Sequence, residues 1–298
     1  MKLHLACALA IAAVLPLAAC GGDGDPQSPP APSLDDIRQL TGLSAPVEAA
    51  AAQQERQQDI VSRADSLVVS TTHVEAVLPD ATHTFRLVSE CSGPQCELLD
   101  PTTGETETAS LGTAVVRLGA AEPIGSAHGI TLMSETRRHM GVDATSLGAW
   151  MEHGSFALNS LRAVGEEAGS NRLQAMALGD LTGRPLTGSA TWLGIMVGTP
   201  TAGVDQGDRL VGTATLNYDM SAGGLDAAFS GIENIDSGTA HTTETVIFSN
   251  LAIDTDGTFS TGQSGTRIQG GFYGPDHVEA AGIFEQSDIV GAFGARRQ

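Results

Sequence analysis

The chain has 298 residues, with 35 acidic against 15 basic side chains and a formal net charge of −20. A body this acidic repels polyanions, which sets nucleic acid aside as a partner and leaves a membrane reachable through a lipid anchor only. The acidity itself reads as solubility rather than cation capture, and the length admits one large or two small domains with real cores.

Lys2 opens the chain, and Leu3–Leu17 is an apolar run broken by His4 and Pro16. The run is shorter than the ~20 residues of a spanning helix. It has the length of a signal-peptide core, and the small residues Ala18 and Ala19 follow it. Leu17-Ala18-Ala19-Cys20 resembles a bacterial lipobox. That resemblance implies a signal peptide over 1–19 and lipidation of Cys20, with acyl chains such as palmitate. Two or more chains anchor stably where a single one does not. An ordinary secretory signal with a chance cysteine is the alternative. Gly21, not Asp, follows Cys20, which resembles the default for the outer membrane.

Residues 20–33 hold Cys20 and a Gly-, Pro- and Ser-rich stretch with no apolar periodicity, a flexible tether. Over 34–67 the chain turns helical. Ser33 precedes Leu34-Asp35-Asp36 as a helix start, and Ala, Gln, Glu and Arg dominate from Glu48 to Leu67. Ile60, Val61, Ala64 and Leu67 form one narrow apolar face, suited to a stalk or to docking on the next domain.

Residues 68–183 read as a β-rich, handle-like domain. Short apolar runs at 67–69, 85–88, 114–118, 130–133, 147–152, 156–158 and 174–178 alternate with Gly, Pro, Ser and Thr clusters. Cys91 and Cys96 flank Ser-Gly-Pro-Gln. An even pair left in an exported chain reads as a disulfide; a redox or metal pair is the rival, with His83 the nearest further ligand in sequence. Closing so small a loop stabilises by about 2 kcal/mol in the chain-entropy model.

Residues 184–298 are the most regular. Leu210–Met220 alternates, with Leu210, Gly212, Ala214, Leu216, Tyr218 and Met220 on one face and Val211, Thr213, Thr215, Asn217 and Asp219 on the other. Similar segments at 190–198, 225–232, 246–253, 258–262, 267–274, 278–286 and 289–297 bring the count to eight, joined by hairpin chemistry at 221–224, 254–257 and Gly274-Pro275. Eight hairpin-linked strands predict an antiparallel up-and-down β-barrel. Trp192, Tyr218, Phe229, Phe248, Phe259, Phe272, Phe284 and Phe293 supply one large ring per strand, with Tyr273 as an extra. Such rings fill a barrel this narrow, so it is solid and binds on its loops.

The run Gly271-Phe272-Tyr273-Gly274-Pro275, continuing through Glu279 and Gly282 to Phe284, then Gly291-Ala-Phe293-Gly294, resembles the end of the barrel domain of transferrin-binding protein B and of factor H-binding-type surface lipoproteins. Val278 stands in place of an Ala, Ala281 in place of the first paired Gly, and Arg296 in place of a Lys. The resemblance implies the barrel fold over 184–298, a surface lipoprotein, and iron or haem acquisition as a setting. Transferrin capture does not carry over, because that family has two lobes of barrel plus handle. The motif residues read as structural. Glu279 is the least explained, an outward strand residue able to bond to a turn.

No nucleophile elbow and no zinc-protease motif is present, so the chain reads as non-enzymatic and without a cofactor. Asp254-Thr-Asp256-Gly257 has two acidic spacings of a calcium loop but reads as a hairpin turn. His128, His139 and His153, with Met133, Met140 and Met151, have the residue types of haem ligands, against the plainer reading of solvated loop residues. The expectation is a monomer in the outer membrane facing the cell surface, binding a protein or small-solute ligand. An envelope lipoprotein with no captured ligand is the competing reading.

Overall fold

The computed structural model describes residues 31–63, 69–78, 82–92, 95–99, 106–110, 121–139, 142–163, 171–185, 188–219, 221, 224–242, 244–263 and 265–298. The expected signal peptide over 1–19, Cys20, most of the expected tether, the 114–118 run and Met140 lie outside them.

The predicted helical segment is two helices, α1 (Leu34–Thr41) and α2 (Ala50–Arg63). Ser33 caps α1: its Oγ accepts from Asp36 N at 3.2 Å, and its own N–H donates to Asp36 Oδ2 at 3.0 Å. The Ser33 hydroxyl also donates to Asp36 Oδ2 at 2.6 Å, and this bond, with that of the Ser33 N–H, holds the Asp36 carboxyl below the usual range. Gly42, left-handed at φ 70°, ends the helix.

α2 docks rather than forming a free stalk. Two strands beneath it, β6 (Ile130–His139) and β7 (Val142–Trp150), pair from His139↔Val142 up to Met133↔Gly148 and then part. Gln53 enters the gap. Its Nε2 donates to Thr131 O at 2.7 Å and its Oε1 accepts from Trp150 N at 2.8 Å, so one side-chain amide stands where a peptide rung would be. Arg56 donates to Trp150 O and pairs with Glu48 at 2.6 Å. Ile60 is buried on the same helix.

The first sheet also holds β1 (Val69–Leu78), β2 (Thr82–Ser92), β3 (Gln95–Leu99), β4 (Thr106–Ser110), β5 (Glu122–Ala127), β8 (Gly154–Ala163) and β9 (Asn171–Asp180). Its order is β4-β3-β2-β1-β9-β8-β7-β6-β5, antiparallel throughout: two meanders joined where β1 pairs with β9. β3, β4 and β5 are only five, five and six residues long, too short for the alternation to express them.

The second sheet holds β10 (Ser189–Pro200), β11 (Leu210–Asp219), β12 (Gly224–Asn234), β13 (Thr239–Thr242), β14 (Val246–Leu251), β15 (Thr258–Gln263), β16 (Thr266–Tyr273), β17 (Glu279–Gln286) and β18 (Ile289–Arg297). The eight predicted strands are β10–β12 and β14–β18; β13 is a short addition on β12. First and last strands pair, β10 with β18, which wraps the meander on itself. On the far side β14 pairs with β12, and the β14–β15 hairpin carries the single bridge Ile253↔Phe259. Asp254–Gly257 is its turn, with Gly257 N donating to Asp254 O at 3.0 Å and Asp256 Oδ1 accepting from Thr258.

All eight single-strand aromatics meet inside this sheet, with Met196, Leu210, Leu216 and Leu225. Phe229 stacks on Phe284 at 4.2 Å between ring centroids and tilts against Phe293 at 5.1 Å; Trp192 meets Phe272 at 4.8 Å. Room for the rings comes from glycines on neighbouring inward positions. A Cβ on Gly282 would stand 2.7 Å from Phe293 Cζ, and one on Gly291 2.6 Å from Phe284 Cζ. Tyr273 differs from the other rings: it faces outward, into the core shared with the first sheet.

Candidate binding face

The motif that carried the family resemblance sits at the joint between the two sheets. On β17 and β18 the inward residues are Ala280, Phe284, Ile289, Phe293 and Ala295, and the outward ones Ala281, Ile283, Val290 and Ala292. The outward set packs with Phe156, Leu158, Leu173, Ala175 and Ala177 of β8 and β9. Both faces of these strands are therefore buried, which explains their runs of Ala and Gly. Gly294 lies against the Phe156 ring too closely for any Cβ. Tyr273 fits between Gly154 and Gly179, where added side chains would collide with its ring. Its hydroxyl has no hydrogen-bond partner among the described residues, and burial pushes it well above the usual phenol range.

Glu279 faces outward at the same joint and is 2% exposed. Its Oε1 accepts from Glu152 N at 2.9 Å and its Oε2 from His153 N at 2.8 Å, so the carboxyl caps the β7–β8 turn. Burial raises its pKa; the two backbone N–H groups and Arg296 oppose that shift without cancelling it. Arg296 Nη2 lies 3.4 Å from Glu279 Oε1, while its Nη1 donates to Gly129 O at 3.1 Å. A guanidinium serves both acceptors at once, which an ammonium does less readily. Gly274, at φ 72°, leads into a 3-10 turn over Pro275–His277 and admits the His153 ring against its Cα. His277 Nε2 donates to Gly183 O at 3.0 Å, and Trp192 Nε1 to His277 O at 2.7 Å. These contacts are packing and capping.

The remaining candidates are dispersed. Cys91 and Cys96 stand opposite each other in the β2–β3 register, one residue from the last pair, Ser92 and Gln95; their side chains lie outside what is described, as does that of His139. His128 sits in the β5–β6 turn with φ 52° and His153 in the β7–β8 turn, while Met133 and Met151 are buried in core positions. Among the described residues no three His, Cys, Asp or Glu side chains gather as a metal would need.

A second region of the barrel wall is bare. Outward residues of β10, β11, β12 and β14 line a basin of about 640 Å³: Ser189, Thr191, Asn217, Asp219, Asp226 and Asn250, with Gln298 at its edge. Register makes them a grid. Thr191 stands opposite Asn217, Asn217 opposite Asp226, and Ser189 opposite Asp219. Thr191 Oγ1 donates to Asn217 Oδ1 at 2.9 Å, and Asn250 N to Asp226 Oδ1 at 2.8 Å. Asn250 adopts φ 57° and lies directly over Gly224, where a Cβ would meet its side chain. The sequence held a signal for this wall. Along the outward face of β11, Val211 is buried, Thr213 and Thr215 are half-buried, and Asn217 and Asp219 are exposed. The face changes from apolar to polar where the covering ends.

No protein-family model matches the sequence, and no curated protein matches it. Among solved structures the chain is similar to transferrin-binding protein B. With that of serogroup B Neisseria meningitidis it shares 16% identity at a TM-score of 0.43, covering 78% of this chain and 43% of that one. With the Haemophilus parasuis Hp5 protein the values are 18%, 0.42, 77% and 45%. The chain thus spans less than half the length of these two relatives. The N-lobe domain of lactoferrin-binding protein B from Moraxella bovis matches at 14% identity and a TM-score of 0.35, over 78% of this chain and 99% of that one.

Proposed function

We propose that this chain is a lipid-anchored protein of the outer membrane, facing the cell surface, which binds a protein or small-solute ligand and does not transform it. The observation that carries the reading is the division of labour on the barrel's outer wall. The motif residues are spent on the ring core (Phe272, Phe284, Phe293) and on fixing the two sheets together (Tyr273, Glu279, Gly294), and the polar basin is left open on that support. A rigid scaffold commonly presents binding residues on its loops; here the exposed polar groups stand on the strands themselves, Thr191, Asn217 and Asp226 on β10, β11 and β12. Cleavage before Cys20, a tether over 20–33, a handle over 68–183 with a barrel over 184–298, and a Cys91–Cys96 disulfide belong to the same proposal. The lipobox-like run supports the anchor, and compartment and register support the disulfide. Iron or haem acquisition is the setting in which to look first, given the motif resemblance.

The test uses intact cells making the full chain. Labelled palmitate is expected on the wild type and not on Cys20→Ala. External protease is expected to remove the protein, and the purified protein to retain a component of the growth medium. Protection from protease together with an empty pull-down overturns the reading in favour of an envelope lipoprotein without a captured ligand.

A further inference from the structure

The basin has a chemistry narrower than "polar". Its floor presents the side-chain amides of Asn217 and Asn250, the hydroxyls of Ser189 and Thr191, and the carboxylates of Asp219 and Asp226. Among the described residues no Lys or Arg lines it, so a phosphate, sulfate or carboxylate would meet the carboxylates of Asp219 and Asp226 with no lining cation to hold it. No ring is offered for stacking: Tyr218, the aromatic in its lining, is 7% exposed and its hydroxyl is bound to Pro185 O at 3.1 Å. A flat apolar ligand therefore has nothing to rest on. The two carboxylates are partly committed, Asp226 to Asn250 N and Asp219 to Ser221 N and Oγ, and no third metal-ligating group joins them.

What remains is a set of groups that both donate and accept. Asn217 has engaged its Oδ1, which leaves its amide N–H groups without a partner among the described residues. The second oxygen of Asp226 and the Asn250 side chain are likewise without a hydrogen-bond partner there. Neighbouring amides and carboxylates across paired strands suit adjacent hydroxyls, each of which gives one hydrogen bond and takes others. Hydroxyl bonds to a carboxylate are the stronger kind. The volume falls within the roughly 300–1,000 Å³ of small-ligand sites.

We propose that this wall of β10, β11, β12 and β14 binds a neutral polyhydroxylated ligand, a saccharide unit either free or carried on a glycoprotein. The proposal rests on the binding-protein reading above and names a ligand class for one surface of it. Asn217 and Asp226 hold the hydroxyls, and the Gly224–Asn250 contact fixes the third corner. An open, solvated basin gives weak affinity for one unit, with Kd on the order of 1 mM.

The experiment is saturation-transfer NMR on the full-length protein, with maltose, lactose and N,N′-diacetylchitobiose as neutral probes and a heparin disaccharide and trilysine as charged ones. At least one neutral probe is expected to give signal, weakened about tenfold or more in Asn217→Ala and abolished in Asn217→Trp, which fills the basin. The heparin disaccharide is expected to give none. Ribonuclease B before and after removal of its glycan separates the sources: binding lost on deglycosylation assigns the glycoprotein-borne form, and binding of free disaccharides alone the other. Unfolding midpoints of both variants are measured alongside, and Thr191→Val replaces any variant that does not fold. Three silent neutral probes, binding unchanged in Asn217→Trp, or trilysine displacing the sugar as the tighter ligand each overturn the proposal. A medium component still captured by Asn217→Trp leaves the binding-protein reading standing; an empty pull-down with protease protection removes that reading instead.

Discussion

Two parts of one barrel wall have opposite fates. The outward face of β17 and β18 is built from Ala281, Ile283, Val290, Ala292 and Gly294 and disappears beneath β8 and β9. The outward face of β11, β12 and β14 ends in Asn217, Asp226 and Asn250 and stays in water. Both share the same inner core of rings. The difference teaches that the most recognisable motif of this chain marks where the sheets join, and that ligand chemistry has to be sought on the plainer strands.

Phe229 touches Phe284, Phe293 and Phe248 and is fully buried. Phe229→Ala is expected to cost about 3–5 kcal/mol in urea unfolding. A loss under about 1 kcal/mol would mean the barrel interior is not the packed core described. At the joint, Glu279→Ala leaves the Glu152 and His153 N–H groups without their acceptor and Arg296 without its counter-charge. The expected loss is about 2–3 kcal/mol. Gly294→Ala forces the Phe156 ring away from β18 and is expected to cost about 1–3 kcal/mol, read in the same assay.

Glu279 also sharpens the comparison through pH. Its folded pKa is raised above the ordinary 4.5. The sign follows from linkage: the folded state holds this proton more tightly than the unfolded one. Its contribution is therefore fully present below about pH 4.5 and declines as pH rises through the folded value. Unfolding curves from pH 4.5 upward are expected to be flatter in Glu279→Gln than in the wild type. An equal slope in both would assign the pH dependence elsewhere. At the small end, Asn217→Ala on the bare wall is expected to change stability by no more than about 0.5 kcal/mol. A larger loss would make the basin part of the scaffold.

Much of the architecture was legible along the chain. Period-two alternation in Leu210–Met220 placed Gly212 and Tyr218 of β11 on the inward face, and the turn residues at 254–257 and 274–275 located hairpins. One aromatic per strand predicted the barrel core, because inward positions of a narrow barrel admit little else. Two things escaped. Nothing in an Ala- and Gln-rich helix sets Gln53 apart; its role exists because β6 and β7 part beneath it. The second was the role of Ala281, Ile283, Val290 and Gly294, since small and apolar residues on both faces of a strand do not say what covers them.

For residues 184–298, then, the local matters followed from the sequence: which eight segments are strands, where they turn and which side chains point into the barrel. These follow from backbone preferences and from a periodicity that a few residues suffice to express. The tertiary structure decided which wall of the barrel the first sheet covers, that Tyr273 serves the joint rather than the barrel core, that Glu279 caps a turn 127 residues before it in the chain, and that Asn217, Asp226 and Asn250 form one surface. Those outcomes depend on contacts between residues far apart in sequence, and on packing that fixes them once both sheets are in place.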